Sequence, residues 1–293
     1  MPISQKRIKE RFEMGLSNQA RQLPEPLRAI ARKALGFPAV KRVRRWFHDT
    51  VPEVETYHVR LAGKRSLEIG GPSEFFADDG PLPVYRVLGG VDNCTFSPQT
   101  IWAEEIKAGR TFQYQPNKEP GIQFICEATD LRPIQNSTYD CILASHCLEH
   151  IANPLRALRE WKRVLKEDGL LLLVLPHKEG TFDWRRPTTT LAHMIEDYRN
   201  EVGEDDLTHL PEILALHDLA KDKPGGSPEQ FRQRCLDNAQ KRAMHHHVFD
   251  TSVALQLVDY AGFEVIRADR VKPYHIVVLC GRANGRLTTG IVV

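Results

Sequence analysis

Apolar residues along this chain fall into short runs separated by stretches of helical period. The clearest run is Leu170-Leu171-Leu172-Leu173-Val174-Leu175, with no polar residue in it. Such a run reads as a strand buried on both faces, as in a parallel sheet covered by helices. Similar runs recur at 66–70, 85–92, 123–126 and 139–145 before it, and at 263–266 and 275–280 after it. Residues 155–165 and 252–261 carry apolar positions three and four apart and read as helices. Gly169, after Lys166-Glu167-Asp168, suits the left-handed position that follows a helix, and Gly262 ends the second one. This alternation predicts an α/β fold, a Rossmann-like doubly wound sheet of seven mostly parallel strands.

Two segments depart from the pattern. Residues 4–48 read as three short helices, the second opened by Pro26 and ended by Gly36 and Pro38. Residues 177–250 are polar and mainly helical around 190–200, 210–220 and 228–243, and hold seven of the twelve histidines. The expected organisation is a basic helical extension over 1–60, a Rossmann-like core over 61–176, a helical insertion over 177–250, and completion of the core over 251–293.

Charge sharpens the contrast. The net charge is +2, yet residues 1–50 hold 12 Lys/Arg against 4 Asp/Glu, so the remainder is acidic on balance. For the basic extension the favoured reading is a helical cap with a solvated face. An arm that meets anionic lipid through residues 1–48 is the functional alternative. Nucleic acid has no helix-turn-helix, zinc-finger or RNP signature to support it. No run reaches the length of a membrane span, and the start Met1-Pro2-Ile3-Ser4 lacks the apolar segment of a secretory signal. The six cysteines form no Cys-x-x-Cys pair and read as buried reduced thiols. Both features lead to a cytoplasmic expectation.

Candidate chemistry centres on Glu68-Ile69-Gly70-Gly71-Pro72-Ser73, a strand that ends in an acid and turns through two glycines. In open α/β sheets ligands bind beyond the carboxyl ends of such strands. A nicotinamide dinucleotide would need Gly-x-Gly-x-x-Gly there, and Pro72 and Phe75 break that pattern. His146-Cys147-Leu148-Glu149-His150 spells a zinc-protease pattern, but at the exit of a buried strand rather than on a helix.

Taken in order, these parts resemble a class I S-adenosylmethionine-dependent methyltransferase of the "methyltransferase type 11" branch. The resemblance rests on Glu68-Ile69-Gly70-Gly71, Asp92 after the second apolar run, Thr129-Asp130-Leu131, residues 139–145 with Leu148-Glu149-His150-Ile151, and residues 163–169. It covers roughly residues 60–176 and 250–281, and it implies an antiparallel last strand. It also implies S-adenosylmethionine as cofactor, held by Glu68, Gly70, Gly71, Pro72, Ser73, Asp92, Asn93, Thr129, Asp130, Leu131, Ser145 and His146. Asp92 would take the ribose hydroxyls and Asp130 the adenine amino group. Pro72 and Glu74 stand where that family has glycines, which leaves Gly70, Gly71 and Ser73 to hold the cofactor.

The insertion is where an acceptor would bind. His177, at the end of the fifth strand, is the first candidate base, followed by His246; Asp183 completes the catalytic set. The histidines of 177–250 admit three readings: general bases, metal ligands together with Asp183 or Asp250, or hydrogen-bonded structural groups. No metal site is assigned among them. The run Thr181-Phe182-Asp183…Arg186-Pro187-Thr188…His193…Glu196-Asp197-Tyr198 and the run His245-His246-His247-Val248-Phe249-Asp250 are similar to methyltransferase-domain proteins encoded with bacterial surface-polysaccharide enzymes. That similarity implies a small-molecule acceptor such as a sugar, a sugar nucleotide or a phosphorylated glycan carrier, methylated on oxygen. The competing reading is a degenerate cofactor-binding or scaffold protein that acts through its basic arm.

Overall fold

The computed structural model describes residues 50–101 and 105–283. The helices expected over 4–48, and the membrane contact assigned to 1–48, lie outside the described residues. Helix α1 (Val54–Leu61) precedes the strands β1 (Arg65–Ile69), β2 (Gly90–Thr95), β3 (Gly109–Phe112), β4 (Gly121–Ile125) and β5 (Tyr139–Ser145). Helix α2 (Pro154–Val164) leads into β6 (Leu165–Pro176). The insertion supplies α3 (Leu191–Arg199), α4 (Leu210–Leu216), α5 (Pro228–Leu236) and α6 (Asn238–Lys241). Helix α7 (Thr251–Tyr260), β7 (Phe263–Val271) and β8 (His275–Arg282) complete the sheet.

The sheet runs β3-β4-β2-β1-β5-β6-β8-β7. Pairing is parallel from β4 through β6, and β8 runs antiparallel to both of its neighbours. The expected seven strands become eight, because β3 adds an antiparallel edge to β4 through Phe112 opposite Gly121. The Leu170–Leu175 run is indeed buried on both faces. Leu171, Leu173 and Leu175 pack with Leu158 and Trp161 of α2 and Leu257 of α7. Leu170, Leu172 and Val174 pack on the other face with Tyr57, Leu61 and Phe76.

That second face departs from a regular doubly wound sheet. Residues 71–89 between β1 and β2 form turns rather than a helix. Pro72, Pro81 and Pro83 remove the backbone donors a helix needs. The segment covers the sheet with Phe75, Phe76, Leu82 and Tyr85 instead, beside α1.

Two boundaries move for physical reasons. The second strand was expected to end at the acid Asp92, but β2 runs on to Thr95. Asp92 tolerates its place inside the sheet because three donors satisfy it: the Ile122 N–H at 2.7 Å, the Arg65 guanidinium at 2.8 Å and the Tyr139 hydroxyl at 2.8 Å. Gly169 is not left-handed; α2 ends at Val164 and Gly169 lies within β6. A Cβ there would sit 2.8 Å from the Lys166 carbonyl, so close approach explains this glycine. Gly262, with φ +82°, does adopt the expected left-handed turn after α7.

The helix starts follow ordinary capping chemistry. Asn153 accepts from the Arg156 N–H and Asp250 from the Val253 N–H. The insertion has its own small apolar core of Ile213, Phe231, Cys235 and Met244. Among the described residues, no helix is long and apolar enough to cross a membrane. All six cysteines are free thiols.

Candidate functional site

A cavity of about 540 Å³ opens at the carboxyl ends of β1, β2, β4 and β5. Its walls are Gly70–Ser73 after β1, Thr95 and Phe96 at the end of β2, Glu127 and Ala128 after β4, and Ser145 and His146 after β5. The volume lies within the roughly 300–1,000 Å³ usual for small-molecule sites. Glu204 and Arg242 of the insertion form the remaining side.

The glycine turn is held from behind. Gly70 takes φ +77°, which admits glycine without strain. The Gly71 N–H donates to Asn93 Oδ1 at 2.9 Å, and Asn93 Nδ2 returns a bond to the Gly71 carbonyl at 3.2 Å. Asn93 is anchored in turn on Gln123. Glu68 is fully buried and accepts from the Tyr85 hydroxyl at 2.8 Å and the Ser73 N–H at 3.1 Å. Glu68 and Asn93 therefore shape the wall without forming it. Pro72 costs the turn no hydrogen bond that these partners leave open.

Burial pushes the Glu68 carboxyl up to about 8, although the Tyr85 and Ser73 bonds pull it down. The folded state thus holds this proton more tightly than the unfolded chain, whose carboxyl titrates near the ordinary 4.5. The stability Glu68 contributes is complete in acid and is lost as pH rises through the interval up to about 8. The slope from one such group approaches ~1.4 kcal/mol per pH unit. Urea denaturation at pH 5 and pH 8 should show the loss, and Glu68→Gln should flatten it. An equal pH dependence in both proteins would assign the slope to other groups.

Of the expected cofactor residues, Gly70, Gly71, Pro72, Ser73, Ser145 and His146 line the cavity. Asp92 does not; its carboxylate is consumed within the sheet by Arg65, Tyr139 and Ile122. Thr95, three residues on, occupies the strand end where the acid was expected. Thr129, Asp130 and Leu131 also stand off the lining. Asp130 pairs with Arg132, which holds its carboxyl below the usual range, and Leu131 is core. Glu127 and Ala128 take the place assigned to them.

Sequence reasoning missed the other side of the cavity. Arg242 sits 4.9 Å over the Phe96 ring and pairs with Glu127 at 2.7 Å and Glu204 at 2.9 Å. It ties the insertion to the ends of β2 and β4. No motif marks it, since the link joins residues far apart in sequence. Ser145 Oγ is buried beside the cavity and has no hydrogen-bond partner among the described residues. A buried hydroxyl in that position fits a polar group of a bound ligand.

The three expected catalytic residues lie outside the lining. His177 is buried, its N–H on the Tyr274 carbonyl, and burial lowers its pKa. His246 is buried against Asn238 at 3.0 Å, and burial pushes it down to about 3, too weak a base to take a proton near neutral pH. Asp183 is buried between His245 and Arg186; burial opposes its charge, but His245 and Arg186 bring it down to about 2. Asp250 caps α7.

Two histidines line the cavity, His150 and, at the end of β5, His146. His146 adopts φ +51°, a strained conformation for a residue with a side chain. Its Nε2 lies 2.8 Å from His275 Nδ1, and its Nδ1 lies 3.6 Å from Glu149 Oε1. Burial disfavours the Glu149 charge, but His146 and the neighbouring histidines hold its pKa below the usual range. A proton arriving on His146 meets a buried carboxylate beside it.

Residues 94–173 match the family described as a methyltransferase domain. The match begins after the glycine turn and ends within β6. No curated protein matches the chain. Among solved structures, the chain is similar to a SAM-dependent methyltransferase from Aquifex aeolicus (16% identity, 79% of this chain and 90% of that one, TM-score 0.41). It is similar to one from Mesorhizobium loti (12%, 79% and 96%, 0.45). A third is 1,6-didemethyltoxoflavin-N1-methyltransferase from Burkholderia thailandensis, solved with 1,6-didemethyltoxoflavin and S-adenosylhomocysteine (13%, 80% and 77%, 0.43).

Proposed function

We propose that this chain is an S-adenosylmethionine-dependent methyltransferase that methylates an oxygen of a small hydroxyl-bearing acceptor, with His146 as the group that takes the hydroxyl proton; residues 94–173, which match a methyltransferase domain, support the reaction class. The observation that carries the reading is the cavity itself. Its glycine turn, the unpartnered Ser145 hydroxyl and the His146–Glu149 pair converge at the carboxyl ends of the parallel strands. The cofactor would rest against Gly70–Ser73, Thr95, Ala128 and Ser145, and when bound it supplies an electrophilic methyl on a sulfonium.

The residues of this chain then have three tasks. The Arg242 link to Glu127 and Glu204 covers the cavity and limits water. The insertion holds the acceptor in line with the methyl group. His146 accepts the proton at Nε2, where the hydroxyl takes the place of His275, and Glu149 beside Nδ1 stabilises the imidazolium that results. A sugar or sugar nucleotide is the acceptor class we favour, on the similarity of the 181–198 and 245–250 runs to polysaccharide-associated proteins. Those runs mostly hold the insertion together, so the atoms that select the acceptor lie elsewhere on its surface.

Calorimetry with S-adenosylmethionine and methyl transfer onto a panel of sugars, sugar nucleotides and amines test the reading. His146→Ala should cut turnover by about 100-fold or more while cofactor affinity stays within a few-fold. Failure to bind S-adenosylmethionine would leave the scaffold reading, and methylation of the amines alone would refute the oxygen acceptor.

A further inference from the structure

The insertion contains a second polar cluster that the methyl-transfer chemistry does not use. His193 and Asp197 stand one turn apart on α3, His209 precedes α4, and His247 lies in the histidine triplet. One ligand atom from each lies within 4.8 Å of every other. His193 Nε2 is 3.1 Å from His209 Nε2 and 3.4 Å from Asp197 Oδ2. Donors placed tetrahedrally at about 2.0–2.2 Å from a zinc ion are separated by about 3.3–3.6 Å. The two separations lie within a few tenths of an ångström of that edge length.

The hydrogen bonding inside the cluster is incomplete in the way a cation would complete. His247 Nε2 lies 3.2 Å from the Ala152 carbonyl, an acceptor only, so that nitrogen carries the ring proton. Nδ1 is then a bare lone pair, and it is buried with no partner among the described residues. Asp197 Oδ2 is likewise buried with no hydrogen-bond partner among them. Between His193 and His209 one proton at most can lie on the short Nε2–Nε2 line. The other cluster of this kind among the described residues, Glu149 with His150 and His245, offers three donors, one fewer than a closed tetrahedral shell needs.

We infer that His193, Asp197, His209 and His247 bind a divalent transition-metal ion of the zinc class. Four protein donors fill a tetrahedral shell and leave no position for a reactive water, so the ion is structural. The Ala152 carbonyl orients His247 in the manner usual for ligating histidines. None of the four residues lines the cofactor cavity. The ion instead joins α3, the turn before α4 and the 245–250 segment. Glu204 lies between two of these ligands in sequence and contacts both the Ala152 N–H and Arg242. The ion thus holds the segment that closes the cavity, and the expected acid partner of the histidines becomes Asp197 rather than Asp183 or Asp250.

The test uses the full chain purified without a histidine tag. After exposure to Zn2+ and exhaustive dialysis, elemental analysis should find one zinc per chain, and zinc should raise the melting temperature. His209→Ala and Asp197→Asn should each weaken zinc binding at least tenfold, while His58→Ala and His245→Ala should retain it. Should the cluster variants fail to fold, Co2+ in the unmodified protein gives the answer: intense visible bands report four-coordinate cobalt. Less than a tenth of an equivalent of zinc with no melting shift, weak six-coordinate cobalt bands, or zinc lost in His245→Ala but kept in His209→Ala would overturn the assignment.

Discussion

Gly71→Ala is expected to abolish measurable S-adenosylmethionine binding while leaving a folded protein. The added Cβ would lie 2.3 Å from the Glu68 carboxyl carbon. Glu68 cannot swing away cheaply, because it is fully buried and fastened by Tyr85 and Ser73. The turn must move instead, and its reciprocal bonds with Asn93 move with it. Overpacking of this kind costs about 1–3 kcal/mol in stability. The larger effect falls on the cofactor, since Gly70 through Ser73 form one wall of the cavity. Gly90→Ala is the matched comparison: its Cβ would meet nothing within 4 Å. Calorimetry with S-adenosylhomocysteine should show at least a tenfold loss for Gly71→Ala and none for Gly90→Ala. Unchanged affinity in Gly71→Ala would remove the turn from the binding site.

The reach of the sequence can be measured on the same residues. The Leu170–Leu175 run announced a central strand because burial on both faces removes the need for alternation. Gly70 and Gly71 were legible because a tight turn after a strand demands them. Asp92 misled because an acid in an apolar run is ordinarily a strand end. Only the structure shows Arg65, Tyr139 and Ile122 closing around it inside the sheet. Pro72 looked like a defect until Asn93, Glu68 and Tyr85 were seen to carry the turn. His177 and His246 were singled out for residue type and position, but burial decides whether a histidine can act as a base. Arg242 and Asp197 had no local signal at all. Their roles arise from contacts between segments distant in sequence, and single-sequence periodicity is silent about those.

Arg186→Ala is expected to be the most destabilising single change in the insertion, by about 3–5 kcal/mol. Arg186 is only 1% exposed, yet its guanidinium is shared among Asp183 at 3.0 Å, Glu212 at 2.8 Å and the carbonyls of His245 and His246. Removing it leaves the Asp183 carboxylate buried with His245 as its one remaining side-chain ion partner among the described residues. It also frees two backbone acceptors inside the histidine triplet. Arg186→Lys keeps the charge but cannot span four acceptors with a planar fork, so it should recover less than half of the loss. A cycle with Asp183→Ala separates causes: the double variant should be more stable than the two single losses predict, because the uncompensated carboxylate is gone. Simple additivity would mean that packing, not charge, is what Arg186 provides. The consequence extends beyond stability. The triplet follows Arg242 by three residues and contains His247, so slack at His245 and His246 loosens both the cavity closure and the His193–Asp197–His209–His247 cluster. Cofactor affinity and zinc retention should therefore fall together in Arg186→Ala, whereas Gly71→Ala should lose the cofactor and keep the zinc.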